Sequence, residues 1–433
     1  MSMEDDDPFA IFDAPPPTAD EDAIANKRAR PSPIVPLVRH FIARHSPATV
    51  SDLRAAGEAA LASMLELSAS HIAADPPALE QCRDTAQQVV DEAWTNVSGS
   101  KEGVKSLARE AYVLGQALLC AVRAALDGDA RGALGNLDRA FILGGHTQLF
   151  RDCIELLDEA PAREEKVTPV ASTAPEASTL PTPLTFPPGS GVPIERMALP
   201  TSATDFRAIH ARGRPVVLEG VASSWPAMRK WADLDWLRAQ HGTRLVPVEL
   251  GTLARGEEGT WGERIMCLGD FIDGHLAHTQ PDLPVGYLAQ HPLFEQIPRL
   301  RDDFAVPPIC SATGGSVQHV NAWLGPAGTV TPLHFDSYDN VLTQAVGHKR
   351  VRMYEASQTR YLYPKACGGG GVSAQGNVSA VDIEAPDHAR FPEFAQATCL
   401  EAVIGPGDGL FIPAGCWHHV RSLSTAFSVS FWF

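Results

Sequence analysis

Residues 321–354, NAWLGPAGTVTPLHFDSYDNVLTQAVGHKRVRMY, decide the fold of the second half of the chain. Short runs rich in β-branched, aromatic and aliphatic residues alternate here with glycine, proline and polar turn residues. Similar runs recur on both sides, namely RPVVLEGV, RLVPVEL, GLFIP and AFSVSFWF. So many short strands between residues 193 and 433 predict a β-barrel or a double-sheet sandwich, with helices such as 228–240 packed outside it.

His334 and Asp336 lie two residues apart in this stretch, and we expect them to point to the same side of a strand. A third ligand is available in the later run GPGDGLFIPAGCWHHV, which contains His418. Two histidines and one carboxylate that leave open positions are typical of non-haem Fe(II) oxygenases. The alternatives are a surface His–Asp pair and an ordinary glycine turn, because each motif alone is common. Their occurrence together in a β-rich domain favours the metal site.

Lys349 begins the run KRVRMY and shares one face of it with Val351 and Met353. A lysine on an apolar face is buried, and a buried ammonium group requires an anionic partner. No carboxylate lies close to Lys349 in the sequence, so we expect a bound dicarboxylate to supply the charge. The alternative is a lysine at a strand end whose ammonium group reaches solvent.

With these motifs in place, residues from about 193 to 433 resemble the Jumonji-C (JmjC) family of 2-oxoglutarate oxygenases. The resemblance extends over FRAIHARGRPVVLEGVASSWPAMRKW, VPVELG, GYLAQHPLFEQIPRL and GDGLFIPAGCWHHVRSLSTAFSVSFWF. It implies a double-stranded β-helix, also called a jelly-roll or cupin fold. It also implies that Fe(II) is the cofactor and that 2-oxoglutarate and O2 are cosubstrates.

The resemblance also assigns roles to individual residues. The metal would be held by three of them: His334, Asp336 and His418. 2-Oxoglutarate would be bound by four: Tyr287, Thr331 and Lys349 at its distal carboxylate, and Asn340 at the carboxylate beside the metal. The protein substrate would contact four: Glu249, which would receive a substrate arginine, and the pocket walls Trp261, Trp323 and Trp432.

Three features depart from the family pattern. Phe335 stands between the two ligands, where relatives often carry glutamine, and a change in substrate preference is expected there first. His419 follows the ligand histidine, where tyrosine is common, which leaves His419 as an alternative ligand. The stretch ACGGGG at 366–371 is interpreted as a flexible insertion near the rim of the active site.

The predicted activity is the hydroxylation of arginine side chains in protein substrates, because of Glu249 and the acidic balance of the chain. The alternative substrate is methyl-lysine in histone tails, in which case hydroxylation of the N-methyl group would lead to demethylation. Two readings from other classes are a catalytically silent barrel that binds proteins and a different cupin enzyme such as an isomerase. The intact triad argues against the first, and the positions of Lys349 and Thr331 argue against the second.

The first half of the chain predicts an all-α helical module at 34–160, because apolar residues recur at three- and four-residue steps in VKSLAREAYVLGQALLCAVRAAL. Thr49 and Asp52 resemble a capping box at a helix start. An acidic, proline-rich tail at 1–33 and a Pro/Ser/Thr-rich linker at 161–193 flank the module, and the catalytic domain at 194–433 completes an α+β protein. For the module we expect a role in folding or in binding a protein partner.

The net charge of −17 argues against a protein that coats nucleic acid and suits a basic substrate peptide. No apolar run is long enough for a membrane helix, and the acidic N-terminus is unlike a signal peptide, so an intracellular protein is expected. The cluster KRAR at 27–30 fits a nuclear-import signal, which favours the nucleus and leaves the cytoplasm open. The eight cysteines contain no C-x-x-C pair, so we expect reduced thiols.

Overall fold

The computed structural model describes residues 34–74, 78–99, 102–144, 148–158, 191–251, 262–277, 284–312, 314–365 and 375–433. The predicted tail, most of the predicted linker, the KRAR cluster, the glycine-rich stretch and Trp261 lie outside these residues. The described chain has a helical region followed by a β-sandwich flanked by short helices, so the predicted α+β architecture is confirmed.

Six α-helices form the helical module within the described residues: Ile34–Ala55 (α1), Ala59–Ala73 (α2), Leu79–Gly99 (α3), Glu102–Val122 (α4), Ala130–Gly144 (α5) and Gln148–Asp158 (α6). The apolar positions that predicted α4, such as Leu114 and Leu118, are buried in the core of the module. None of the helices in the described ranges combines the length and apolar character needed to span a bilayer.

The helix start predicted at Thr49 is wrong, because α1 continues through it. The Thr49 side chain is buried, and its hydroxyl donates a hydrogen bond to the carbonyl of His45, one turn earlier, at 3.3 Å. A threonine hydroxyl satisfied in this way can sit inside a helix rather than cap one. The chain also passes Pro47 without ending the helix.

Fourteen strands are present in the described chain: Val192–Pro193 (β1), Arg196–Ala198 (β2), Val216–Glu219 (β3), Leu245–Leu250 (β4), Gly262–Cys267 (β5), Gly286–His291 (β6), His319–Gly325 (β7), Val330–His334 (β8), Asn340–Val346 (β9), Lys349–Tyr354 (β10), Leu400–Ile404 (β11), Gly409–Ile412 (β12), Trp417–Ser422 (β13) and Ala426–Trp432 (β14). They form a smaller sheet in the order β1-β11-β10-β13-β8 and a larger one in the order β2-β3-β12-β9-β14-β7-β6-β4-β5. Strands distant in sequence are neighbours in both sheets, as in a jelly roll.

Short helices pack outside the larger sheet: Ala203–Ala211 (α7), Ala227–Lys230 (α8), Leu234–His241 (α9), Leu268–Phe271 (α10), Leu293–Gln296 (α11), Pro298–Arg301 (α12) and Ile309–Ala312 (α13). The single helix predicted at 228–240 is therefore wrong. It is two helices, because the carboxylate of Asp233 accepts a hydrogen bond from the backbone N–H of Trp236 and starts α9. The indole of Trp231, between the two helices, stacks on Phe427 of β14 with ring centroids 4.3 Å apart.

The inner faces of the two sheets enclose a second apolar layer, which includes Leu342, Val351, Met353 and Ile412. Because side chains alternate along a strand, every second residue of β9, β10 and β13 faces this interior, whereas an irregularity in β8 lets both Thr331 and His334 face it. The seven cysteines in the described residues are all free thiols, as predicted.

Candidate metal and cosubstrate site

The three predicted metal ligands meet at one end of the smaller sheet. His334 is the last residue of β8 and lies opposite His418 of β13 in the antiparallel register. Asp336 lies in the loop beyond β8, so the expectation that it shares a strand with His334 is wrong. The loop is held by its backbone instead, because the carbonyl of Asp336 accepts a hydrogen bond from the N–H of Gly415 at 2.8 Å.

The side chains of the triad are spaced for a shared ion rather than for direct hydrogen bonds. Nε2 of His334 lies 3.8 Å from Oδ1 of Asp336, and Nε2 of His418 lies 3.7 Å from Oδ2. The three ligand atoms lie within 4.8 Å of one another, and the described residues contain no second cluster of this kind. Histidine and carboxylate bonds of about 2.0–2.2 Å, as in zinc sites, would span this gap.

Both imidazoles are oriented for metal binding by backbone carbonyls. Nδ1 of His334 lies 2.8 Å from the carbonyl of Pro332, and Nδ1 of His418 lies 3.0 Å from that of Cys416. A carbonyl accepts, so we assign the proton to Nδ1 in each ring, which leaves the Nε2 lone pair facing Asp336. Burial lowers the pKa of His418 well below its usual value and keeps that ring neutral. Two neutral imidazoles and a carboxylate fit Fe(II).

His419 faces away from this site. It lies opposite Arg352 of β10, and its Nε2 is 3.9 Å from a carboxylate oxygen of Glu384. Burial, together with nearby arginines, lowers its pKa to about 3. Of the two adjacent histidines, the structure therefore brings His418 to Asp336.

Phe335 also points away from the metal position. Its ring packs edge-on against Trp417, with centroids 4.9 Å apart, and belongs to an apolar cluster with Leu333 and Leu362. Its backbone N–H donates to the carbonyl of Asn377 at 3.0 Å. In these contacts Phe335 anchors the segment around Asn377 to the loop that carries Asp336.

Lys349, Tyr287 and Thr331 come together beside the triad. Lys349 is 1% exposed, and its ammonium group donates to the hydroxyl of Tyr287 at 3.2 Å. Tyr287 is in turn hydrogen bonded to Thr331. Burial lowers the pKa of Lys349 to about 7. Among the described residues no carboxylate forms an ion pair with Lys349. The anion that the sequence predicted would therefore supply the negative charge that this buried ammonium group requires.

A cavity connects this group to the triad. It is lined by Tyr287, Trp323, Thr331, His334, Asp336, Asn340, Leu342, Lys349, Ile412, His418 and Val420. The side-chain oxygen of Asn340 is buried and has no hydrogen-bond partner in the described part of the chain. Sequence reasoning missed the apolar lining by Leu342, Ile412 and Val420, although Leu342 follows Asn340, and Val420 follows His418, at the two-residue spacing of a strand.

The predicted substrate residues are more dispersed. Glu249 lies on β4, opposite Tyr287 of β6 on one side and Glu263 of β5 on the other. The indole N–H of Trp323, in the cavity wall, donates to the hydroxyl of Ser430 at 2.9 Å. Within the described ranges, Glu249 and Trp432 do not line the cavity.

Trp432 stands at the end of β14, opposite Asn340. Its ring is nearly parallel to that of Tyr338, with centroids 6.1 Å apart, and His319 lies edge-on to both. Since Tyr338 is two residues from both Asp336 and Asn340, these rings adjoin the site. The contact of His319 and Tyr338 with Trp432 could not be predicted from the sequence, because the three residues come from separate segments.

Comparison with known proteins links this site to a family. The model of the cupin-like domain matches residues 202–433, which is more than half of the chain. The chain is 44% identical over 221 residues to Lysine-specific demethylase 8 of Xenopus tropicalis, covering 51% of this chain and 48% of the relative. It is 36% identical over 226 residues to Jumonji C domain-containing protein 5 of Drosophila melanogaster, covering 51% and 54%.

A more distant relative is the human Bifunctional peptidase and (3S)-lysyl hydroxylase JMJD7, which is 29% identical over 262 residues, covering 54% of this chain and 81% of the relative. The match spans about half the length of the Xenopus and Drosophila relatives.

Proposed function

The chain belongs to the cupin-like family of JmjC domains, and from that premise we propose that it is an Fe(II)- and 2-oxoglutarate-dependent oxygenase. We propose further that it hydroxylates arginine side chains in protein substrates. The observation that carries the first proposal is the convergence of two imidazole Nε2 atoms and one carboxylate beside a buried lysine.

Each residue of the pocket has a task in this proposal. His334, Asp336 and His418 would hold Fe(II), which together with 2-oxoglutarate as the electron donor would activate O2, the oxidant, for attack on a C–H bond. The backbone carbonyls that accept hydrogen bonds from the Nδ1–H groups fix the rings in the orientation that metal binding needs.

The ammonium group of Lys349 would pair with the distal carboxylate of 2-oxoglutarate, with the hydroxyls of Tyr287 and Thr331 beside it. A buried ion pair of this kind fixes the orientation of the cosubstrate, because the surrounding apolar side chains exclude water. Asn340 offers a buried oxygen without a partner among the described residues, close to the metal position.

Arginine is favoured as the substrate by the carboxylates on β4 and β5. Glu249 and Glu263 lie directly opposite each other, and burial raises the pKa of Glu263. A planar guanidinium group matches the geometry of a carboxylate and can form two parallel hydrogen bonds with it, so a carboxylate on this strand suits an arginine substrate. The net charge of −17 adds a long-range attraction for basic peptides.

Methyl-lysine demethylation is the second candidate, because the relative from Xenopus tropicalis carries the name lysine-specific demethylase. In both cases the partner is a protein or peptide, for example a histone tail. We propose residence in the nucleus because of the KRAR cluster, and the cytoplasm stays open as a second location. We propose that the helical module binds a protein partner as well, and a groove of about 400 Å³ between α1 and α2, lined by Ile42, Pro47, Val50 and Ala69, supports this.

The test is succinate release by the purified protein with Fe(II), 2-oxoglutarate and short peptides that each contain one arginine or one methyl-lysine. We expect turnover that His334→Ala abolishes, and equal turnover in both proteins would overturn the oxygenase proposal. Mass spectrometry then separates the substrates, since hydroxylation adds about 16 Da to an arginine peptide and demethylation removes about 14 Da from a methyl-lysine peptide. Glu249→Ala is expected to abolish arginine hydroxylation while the affinity for 2-oxoglutarate is kept.

A further inference from the structure

The hairpin formed by β4 and β5 is joined to the larger sheet at one end. β4 pairs with β5 along its whole length, from Leu245 to Leu250. In the described chain it pairs with β6 at Glu249 and Leu250 alone. A two-stranded hairpin has little stability of its own, so its other end needs support from outside the sheet.

That support comes from the helical module. The carboxylate of Asp138, on α5, is fully buried and accepts a hydrogen bond from the backbone N–H of Leu245 at 2.9 Å. The side-chain amide of Gln296 donates to the carbonyl of Leu245 at 2.7 Å. Two side chains therefore occupy, at the start of β4, the hydrogen-bonding positions that a neighbouring strand would fill.

Arg244 locks Asp138 in this place. Its Nε donates to Oδ2 of Asp138 at 2.9 Å, and its Nη2 donates to Oδ1 and to the carbonyl of Gln296, both at 2.6 Å. The ring of His291, at the end of β6, lies 2.5 Å from the side-chain oxygen of Gln296 and edge-on to Phe141 of α5. The network thus joins α5, β4, β6 and α11.

We propose that Asp138 is a positioning residue, and that through its bond to Leu245 the helical module holds the β4–β5 hairpin in place for substrate binding. The proposal rests on the proposed function, because it is Glu249, at the far end of β4, that would bind the substrate arginine. It assigns the module a second task, which is to brace the strand that carries Glu249. Lys349 and the triad lie on other strands, and β6, which carries Tyr287, is also paired with β7, so we expect cosubstrate binding to depend little on this brace.

Two double variants test the proposal. Asp138→Asn with Arg244→Met removes the ion pair but keeps a side-chain oxygen for the N–H of Leu245. Asp138→Leu with Arg244→Met removes the ion pair and that oxygen. Because both members of the buried pair are replaced, no lone buried charge remains, and we expect both proteins to fold. Thermal unfolding of each checks this first, and Asp273→Asn, in an exposed pair with Arg238, is the control.

The leucine variant is expected to raise the KM for an arginine-containing peptide about tenfold, since a buried N–H loses its acceptor. The asparagine variant should stay within about twofold of the wild type, and the 2-oxoglutarate affinity, measured with Mn(II), should be unchanged in both. Equal KM values in the two variants, or a matching loss of 2-oxoglutarate affinity, would overturn the proposal.

Amide hydrogen exchange gives a readout that does not depend on catalysis. The leucine variant should exchange faster at Leu245–Leu250 and Gly262–Cys267, while Asn340–Val346 stays as protected as in the wild type. If the wild type oxidises no arginine peptide, the proposed substrate is wrong, yet the exchange comparison still decides whether Asp138 holds the hairpin. Unchanged exchange in the hairpin would show that it does not.

Discussion

Two parts of the β-sandwich, which we call the first and the second wall, are held in different ways. In the first wall, His418 and Lys349 lie on strands with partners on both sides, since β13 pairs with β8 and β10, and β10 also pairs with β11, while His334 lies on the edge strand β8. The wall that carries Glu249 is a hairpin attached to its sheet through two residue pairs of β4 and braced by a side chain from another region. The groups proposed for chemistry therefore lie on the more continuous scaffold, and the group proposed for substrate recognition lies on the more adjustable one.

This difference implies that mutations can impair the binding function of one wall without impairing that of the other. Changes on the first wall should alter metal or 2-oxoglutarate binding and leave peptide affinity intact. Changes on the second should do the reverse. A variant that disturbs both walls equally would show that the pocket behaves as a single unit.

The largest effect is expected from Asp336→Ala on the first wall. Two neutral imidazoles would remain, and metal affinity should fall by more than the roughly 10–100-fold loss that follows when an outer residue of a metal site is changed. Succinate release should fall to background, and a Mn(II) titration should show the lost affinity. Asp273→Asn, at a half-exposed aspartate paired with Arg238, is the control, and retained turnover in Asp336→Ala would refute the assigned triad.

Lys349→Met is expected to have a smaller effect, which lowers the affinity for 2-oxoglutarate and raises the stability of the cosubstrate-free protein. Affinity for 2-oxoglutarate should fall roughly ten- to hundredfold, because hydrogen bonds to charged groups contribute about 1.5–3 kcal/mol. The midpoint of thermal unfolding without cosubstrate should rise, because an apolar side chain replaces a buried ammonium group whose described partner is a neutral hydroxyl.

Calorimetric titration and thermal melts check both halves of the Lys349 prediction. Lys349→Arg, which keeps the charge, is the control. Lower stability without cosubstrate in Lys349→Met would mean that the lysine has an anionic partner within the protein.

The sequence predicted the first wall better than the second, for physical reasons. Lys349 could be placed because a charge on an alternating apolar face must be buried, and this depends on local periodicity alone. His334 and His418 could be paired because their residue types suit one metal. The structure brings Asp336 close to the two histidines, but its place beyond β8 depends on a backbone bond to Gly415, which no local pattern encodes.

The brace on the second wall could not be predicted, because its members come from distant segments. Asp138 belongs to a helix whose apolar spacing predicts only that the helix packs against something. Arg244 and Gln296 are single polar residues, and no pattern in the sequence around them marks them as buried. Their burial together becomes evident only once the helical module lies against β4, where an aspartate at 0% exposure must have a partner.

The smallest expected effect, taken for a change of one pH unit, is a pH dependence that belongs to the first wall alone. Without cosubstrate, burial lowers the pKa of Lys349 to about 7, whereas an unfolded lysine titrates near 10.4. Between these values the unfolded chain binds more protons, so the stability of the cosubstrate-free protein should rise with pH through this window and be lowest below it. Binding of 2-oxoglutarate requires the ammonium form, so above pH 7 it takes up a proton.

The affinity for 2-oxoglutarate should therefore fall by up to about tenfold per pH unit between pH 7 and 9. Calorimetry with Mn(II) in two buffers of different protonation enthalpy measures the proton uptake directly, which should approach one proton at the upper end. Lys349→Met and Lys349→Arg should both bind with a flat profile, because neither side chain titrates in this range. Peptide affinity of the wild type should not follow the same curve, and if it does, the two walls share the charge of Lys349 and the distinction between them fails.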